Sequence, residues 1–164
     1  AAASLEAARA AVERVRGGAP IDTAFIFGKE RLLADYLCEA EPEVAVTLRG
    51  LRLGEAVLVA NPAELFCALG LEIKAGSPAA QTMVVELAGG TVGYVPGAEP
   101  FGPGGGGYET VLTSYSNLVV EAGALIVAGS LELAAELAPA PEPPLPTPRF
   151  TGPWDYGRRG PEID

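Results

Sequence analysis

The sequence predicts an α/β domain in which helices pack on a mixed sheet of about four strands, followed by an extended proline-rich C-terminal tail. Helix-like stretches alternate along the chain with short apolar or alternating runs that are typical of strands. Of the 164 residues, 49% are hydrophobic and only 20% are charged, which suffices for a buried core. Prolines recur throughout residues 139–148. We therefore assign residues 1–138 to the α/β domain and residues 139–164 to the tail.

The first part of the domain contains two predicted helices and two predicted strands. Residues 3–16 are rich in alanine and end at a Gly-Gly pair, and residues 29–40 carry an apolar stripe that ends before a proline. Residues 44–48 show the alternation of a half-buried strand. Residues 56–60 are all apolar, which predicts a strand covered on both faces. The Gly54-Glu55 step between these strands favours a hairpin.

The clearest local signal is the sequence Asn-Pro-Ala-Glu at residues 61–64. Asn61 suits a helix N-cap, proline suits the first helical position, and Glu64 follows three residues after the asparagine, as in a capping box. We therefore expect a helix over residues 62–75 with Glu64 in its first turn.

The rest of the domain is predicted to form a strand, a glycine-rich loop and a long helix. Residues 82–87 are mostly apolar and predict the strand, and four consecutive glycines at residues 104–107 mark the loop. The helix is expected to be capped by Ser116 or Asn117 and to end near Leu137.

Charge and hydropathy exclude two classes of partner. The net charge of -10 argues against nucleic acid, because phosphate binding requires a basic surface. The most apolar segment, residues 118–137, contains Glu121, Glu132 and Glu136. No stretch within it therefore reaches the ~20 apolar residues of a membrane-spanning helix, and we expect no transmembrane segment.

Several kinds of catalytic site are also excluded by the residues present. Ser114 and Ser116 have no histidine to activate them, because the chain contains none. The glycine run at 104–107 lacks the Lys-Ser/Thr of a phosphate-binding loop. Cys38 and Cys67 do not have the spacing of a thiolate zinc site. Each cysteine falls in an apolar, helix-like stretch, which favours buried thiols, although a single disulfide is also compatible with the sequence.

Five short motifs follow one another in the later part of the domain, and together they resemble a known family. The motifs are Leu-Arg-Leu-Gly at 51–54 with the strand at 57–59, Asn-Pro-Ala-Glu-Leu-Phe at 61–66, Leu-Gly-Leu-Glu-Ile-Lys at 69–74 with Ser-Pro at 77–78, Gly-Tyr-Val-Pro at 93–96, and Gly-Gly-Tyr-Glu at 106–109. In this order they make residues 44–137 similar to the later part of the catalytic domain of neutral (non-lysosomal) ceramidases and their smaller bacterial relatives.

The resemblance implies a zinc-dependent amidase that hydrolyses the amide bond of ceramide-like lipids. In that family, two histidines from the earlier part of the domain and a glutamate and a tyrosine from the later part hold the metal. Glu64 and Tyr94 match the glutamate and the tyrosine, although the family usually has Pro-Gly where this chain has Pro62-Ala63. The chain has no histidine. Zinc binding would therefore need a separate His-bearing partner segment, and the chain alone would not be a complete hydrolase.

Both candidate ligands also have an explanation without metal. A glutamate in the first turn of a helix is stabilised by capping and by the helix dipole, and Tyr94 resembles an aromatic side chain that fills a groove at a sheet edge. Two functions therefore stay open. One is the later portion of a ceramidase-like amidase that acts on a lipid amide. The other is a catalytically silent domain that self-associates into a multimer or filament through its tail, with Phe150, Trp154 and Tyr156 buried on a neighbouring subunit. Burial of the same three anchors on the chain's own domain is the alternative to docking on a neighbour.

Overall fold

A computed structural model describes residues 2–137 and confirms the predicted α/β class. The regular elements are α1 (Ala2–Arg16), α2 (Thr23–Ala40), β1 (Arg49–Leu53), β2 (Ala56–Ala60), β3 (Glu64–Leu65), α3 (Cys67–Gly76), β4 (Gln81–Val85), β5 (Tyr94–Val95) and α4 (Ala122–Glu136), with two 3-10 turns at Glu99–Phe101 and Tyr108–Thr110. The predicted tail at 139–164 lies outside the described residues. Among those that are described, no helix is long and apolar enough to cross a membrane.

The main sheet is mixed and has three strands in the order β1-β2-β4. β1 and β2 form an antiparallel hairpin that turns at Gly54, where φ is +62°. A hairpin was predicted here, but its first strand is 49–53 and not 44–48. β2 and β4 are parallel, and α3 belongs to the connection between them. β3 and β5 form a separate parallel pair. The sheet predicted as one unit of about four strands is therefore divided into a three-stranded and a two-stranded sheet.

Helices α3 and α4 cover one face of the main sheet. Val57 and Val59 of β2 are fully buried and pack with Ala134 of α4. Gly50 of β1 lets α4 approach closely, because a Cβ there would lie 3.0 Å from Cγ of Leu133. Ile73 of α3 is completely buried in the adjoining core cluster, which also includes residues of β3, β5 and α4. This packing fixes the ends of the strands from which the loops of the candidate site emerge.

The opposite face of the same sheet is not covered by any described element. Arg49 and Gln81 lie on this side at opposite ends of the strands, and the larger residues between and beside them are apolar: Leu51, Leu53, Leu58, Met83 and Val85. We call these five residues the open face. Within the described residues only the side of Val57 and Val59 is fully buried, so cover on the second face of the strand at 56–60 stays a prediction.

Helices α1 and α2 form a hairpin beside this core. α2 begins six residues before the predicted start, because Asp22 accepts a hydrogen bond from the backbone N–H of Phe25 at 2.9 Å and caps the helix. Gly28 lets the two helices approach, since a Cβ there would lie 3.0 Å from the carbonyl oxygen of Ala8. The Ser114 backbone N–H donates a hydrogen bond to the Glu30 carboxylate at 3.3 Å and links the hairpin to the rest of the domain.

Two further expectations are wrong. Residues 44–48 form no strand: Val46 and Leu48 pack against the core and their neighbours face solvent, which gives the alternation without a strand partner. Both Cys38 and Cys67 are free and exposed rather than buried. Cys67 is the first residue of α3 and Cys38 lies near the end of α2, on the solvent side of each helix.

Candidate functional site

The candidate site lies just beyond the carboxyl ends of the parallel strands β2 and β4, where ligands bind in many α/β sheets. Asn61 follows the last residue of β2 and is completely buried. Its backbone N–H donates to the Val85 carbonyl oxygen at 3.0 Å, and its own carbonyl oxygen accepts from the Ala88 N–H at 2.9 Å. These bonds join the two strand ends and direct the chain toward Glu64.

The helix predicted over residues 62–75 begins later, at Cys67, and Glu64 is in the short strand β3 instead. The Asn61 side chain does form a local turn, since its Oδ1 accepts a hydrogen bond from the Ala63 N–H at 3.0 Å. The same residue is also held by β4, and the following backbone pairs with β5, so the chain stays extended. The prediction that Asn61 caps a helix with Glu64 in its first turn is therefore wrong.

The structure brings Glu64 and Tyr94, the two residues matched to metal ligands, to directly opposite positions in the β3–β5 pair. The Glu64 N–H donates to the Gly93 carbonyl oxygen at 2.9 Å, and the Phe66 N–H donates to the Val95 carbonyl oxygen at 3.1 Å. Residues paired in this way present their side chains on the same face of the pair. Two side chains that are 30 positions apart in the sequence therefore share one small surface.

Two more tyrosines complete the cluster. The ring of Tyr94 makes edge-to-face contacts with Tyr108, at a centroid separation of 5.4 Å, and with Tyr115, at 5.9 Å. The Tyr115 hydroxyl donates to Oε1 of Glu64 at 2.7 Å and accepts from the Thr91 hydroxyl at 2.9 Å. We call Glu64, Tyr94, Tyr108 and Tyr115 the Glu-Tyr cluster.

Gly93 and Ser116 hold β5 against the loop that carries Tyr115. Gly93 has a φ of +77°, and a Cβ there would lie 2.0 Å from the Tyr115 carbonyl oxygen. Only glycine permits this approach without displacing the loop. The buried Ser116 hydroxyl accepts a hydrogen bond from the Tyr94 N–H at 3.0 Å. Ser116 and Asn117 are therefore not caps of the long helix, which begins at Ala122 after Glu121.

The electrostatics of the cluster favour a neutral Tyr94. Its hydrogen bond with Tyr108, its partial desolvation and the negative charge of Glu64 together raise the pKa of Tyr94 to about 12. The cluster thus presents one carboxylate and three phenols, a set of oxygen atoms suited to a hard cation or to a polar ligand that exchanges hydrogen bonds. A cation bound beside Tyr94 would oppose this shift by favouring the phenolate.

Sequence reasoning identified Glu64 and Tyr94 but missed Tyr115 as a member of the site. Tyr115 lies between Ser114 and Ser116 in a loop, and its contact with Glu64 spans 51 positions. Its only local signal is a large aromatic residue among small polar ones. For Tyr108 the only sequence signal is the Gly-Gly-Tyr-Glu motif. The proposed tail anchors Phe150, Trp154 and Tyr156 lie outside the described residues.

A separate apolar groove of about 590 Å³ lies between the end of α2, the segment 41–48 and the start of α4. Its lining includes Val44, Leu118 and Leu125 but none of the four cluster residues.

Within residues 2–137 no group of three or more Asp, Glu or Cys side chains is placed to hold a metal ion.

Comparisons with protein-family models, with curated proteins and with solved structures found no match to this chain.

Proposed function

We propose that this chain is the later portion of a ceramidase-like zinc-dependent amidase, and that Glu64 and Tyr94 are half of a metal site that a His-bearing partner segment completes. The observation that supports this proposal best is the direct pairing of Glu64 with Tyr94 across β3 and β5. The family resemblance selects the same two residues. Because that resemblance depends on sequence motifs, it is independent of the strand pairing.

The residues present fit half of such a site. Catalytic zinc sites use imidazole nitrogens and carboxylate oxygens with a water in the remaining position, so Glu64 and Tyr94 would supply at most half of a tetrahedral shell. Tyr115 donates a hydrogen bond to Oε1 of Glu64. A hydrogen bond of this kind orients a metal-binding carboxylate. The neutral Tyr94 would bind the cation either as a phenol or after losing its proton.

The expected substrate is a lipid amide. Zinc, when bound, would polarise the amide carbonyl and supply a nucleophilic water whose pKa is near ~7. The chain itself would contribute three things. Glu64 and Tyr94 would hold the cation, Tyr115 would keep the Glu64 carboxylate in one orientation, and the exposed Tyr108 hydroxyl would donate a hydrogen bond to an oxygen of the bound substrate.

Imidazole added as a free ligand tests this proposal, because it can stand in for the two histidines. Zinc affinity is measured by calorimetry with and without imidazole. We expect weak binding by the chain alone and an affinity at least tenfold higher when imidazole is present. The variants Glu64→Gln and Tyr94→Phe should lose this gain, and Glu72→Gln, which alters an exposed carboxylate on α3, should retain it. An equal gain in Glu64→Gln would show that zinc binds elsewhere and would contradict the proposal.

A second candidate function is a catalytically silent subunit of a multimer or filament. The observation that favours it is the open face, since apolar sheet faces are usually covered. Sedimentation of the full chain, compared with a variant in which Phe150, Trp154 and Tyr156 are all serine, tests it. A multimer that becomes a monomer in the variant would support joining of subunits through the tail. A monomer in both cases would exclude it.

A further inference from the structure

The open face plays no part in the proposed amidase function. Leu51, Leu53, Met83 and Val85 are 53%, 58%, 47% and 39% exposed. The strand register places Leu51, Leu58 and Met83 side by side, one from each strand, so that an apolar row crosses the whole sheet. Such a continuous apolar surface on a protein usually marks a site where something docks.

The fold makes the lack of a cover unusual. β2 and β4 are parallel, and parallel strands normally have helices on both faces. Here α3 and α4 both contact the same side, the side of Gly50, Val57 and Val59. Within residues 2–137, α1 and α2 pack mainly on each other rather than on this sheet. The residues outside this range include a C-terminal tail long enough to supply the cover.

The point at which the described chain ends favours the tail. Leu137 follows α4 and packs at Gly50 on the covered side of β1, which is an edge strand of the sheet. Residues 138–164 follow, which is 164 − 137 = 27 residues. At ~3.1 Å per residue an extended segment of this length reaches about 80 Å. Rounding β1 and crossing three strands spaced ~4.8 Å apart requires only a small part of that reach.

The composition of the tail suits a surface of this kind. It contains Phe150, Trp154 and Tyr156 together with eight of the chain's 15 prolines. Prolines cannot donate the hydrogen bonds of an added strand, but they restrict the free segment and so reduce the entropy lost on docking. Aromatic side chains are the usual anchors in an apolar surface. Because the tail is covalently attached beside this face, its effective concentration there exceeds that of a tail from another copy.

We propose that residues 138–164 cover the open face of their own chain, with Phe150, Trp154 and Tyr156 packed on the row formed by Leu51, Leu58 and Met83. The sequence alone favoured a neighbouring subunit for these anchors. The position of Leu137 at the edge of the sheet now favours the chain's own sheet. This inference does not depend on the proposed amidase function.

Two residues report on this contact without any added label, because the chain has one methionine, Met83, and one tryptophan, Trp154. The first experiment follows oxidation of Met83 by dilute peroxide with mass spectrometry. We expect slow oxidation in the full chain and a several-fold faster rate in a variant with Phe150→Ser, Trp154→Ser and Tyr156→Ser. The control Phe101→Ser removes an exposed aromatic from a 3-10 turn away from the sheet and should leave the rate unchanged.

The second experiment follows Trp154 by fluorescence and acrylamide quenching. In the full chain we expect blue-shifted Trp154 emission that acrylamide quenches weakly. In Leu51→Gln and Met83→Gln the emission should shift to the red and quenching should be several-fold stronger. The control Leu71→Gln, at an exposed position of α3, should leave the emission and the quenching unchanged. Protection should be the same at every protein concentration. The proposal is overturned if the oxidation rate of Met83 is unchanged by the three serine substitutions, or if the fluorescence and quenching of Trp154 are unchanged by the open-face variants. It is also overturned if protection of Trp154 appears only as the protein concentration rises. The last outcome would show that the tail binds a second copy.

Discussion

Replacing Gly93 with alanine tests the contact that holds β5 against the Tyr115 loop. The φ of +77° costs a non-glycine residue about 1–2 kcal/mol. The new Cβ would also lie 2.0 Å from the Tyr115 carbonyl oxygen and 2.7 Å from the Ser116 hydroxyl. Relieving an overlap of this kind costs about 1–3 kcal/mol. Displacing the loop would also weaken the Tyr94–Ser116 and Tyr115–Glu64 hydrogen bonds, each contributing about 1 kcal/mol. With both hydrogen bonds lost, we expect a total loss of about 4–7 kcal/mol in the free energy of unfolding.

Gly54→Ala is the matched control for this substitution. Gly54 also has a positive φ, +62°, but a Cβ there would meet no atom within 4 Å. The free energy of unfolding of Gly54→Ala should therefore fall only by the conformational cost of about 1–2 kcal/mol, partly offset by the lower entropy of the unfolded chain. Urea denaturation of both variants measures the difference. If the two variants lose the same stability within about 0.5 kcal/mol, β5 does not approach Tyr115 as described and the geometry of the cluster is wrong.

Three further predictions concern the core, the cluster and the thiols. Ile73→Ala, at a completely buried position, should cost about 3–4 kcal/mol in urea denaturation, whereas Leu71→Ala on the exposed side of α3 should cost about 0.5 kcal/mol or less. In an alkaline absorbance titration Tyr94 should ionise near pH 12, and Tyr94→Phe should remove that step. Because its pKa is raised, the stabilisation from neutral Tyr94 is complete below pH ~10 and is lost as the pH rises toward 12. Cys38 and Cys67 should both react rapidly with a thiol reagent in the folded protein.

Much of the fold could be predicted from local patterns. The α/β class, a hairpin that ends in β2 and the approximate places of α1, α2 and α4 all follow from periodicity and from glycine and proline signals. The errors have a common cause in longer-range contacts. Asn61 carries a strong helix-start signal, but its bonds to Val85 and Ala88 hold the backbone extended. Local capping preference contributes about 1 kcal/mol, and a set of tertiary hydrogen bonds together with strand pairing exceeds it.

The candidate site was predictable only in part for the same reason. Glu64 and Tyr94 could be selected by a motif resemblance, but nothing in their spacing predicts that they pair directly across two strands. Tyr115 joins them through a contact that depends on the positive φ of Gly93 and on the buried Ser116. No local pattern around residue 115 encodes that arrangement. An all-apolar strand predicts cover on both sides, but a sequence pattern does not show which element covers the open face.

The central claim is that Glu64 and Tyr94 form half of a zinc site. It is tested most directly by a crystal structure of the chain grown with zinc and imidazole, with the metal located by anomalous scattering. We predict a zinc ion at about 2.0–2.2 Å from a Glu64 carboxylate oxygen, bonded also to the Tyr94 hydroxyl oxygen, with imidazole nitrogen in the remaining positions. Zinc bound only to other residues, or an unoccupied Glu-Tyr cluster in crystals that hold zinc elsewhere, would contradict the claim.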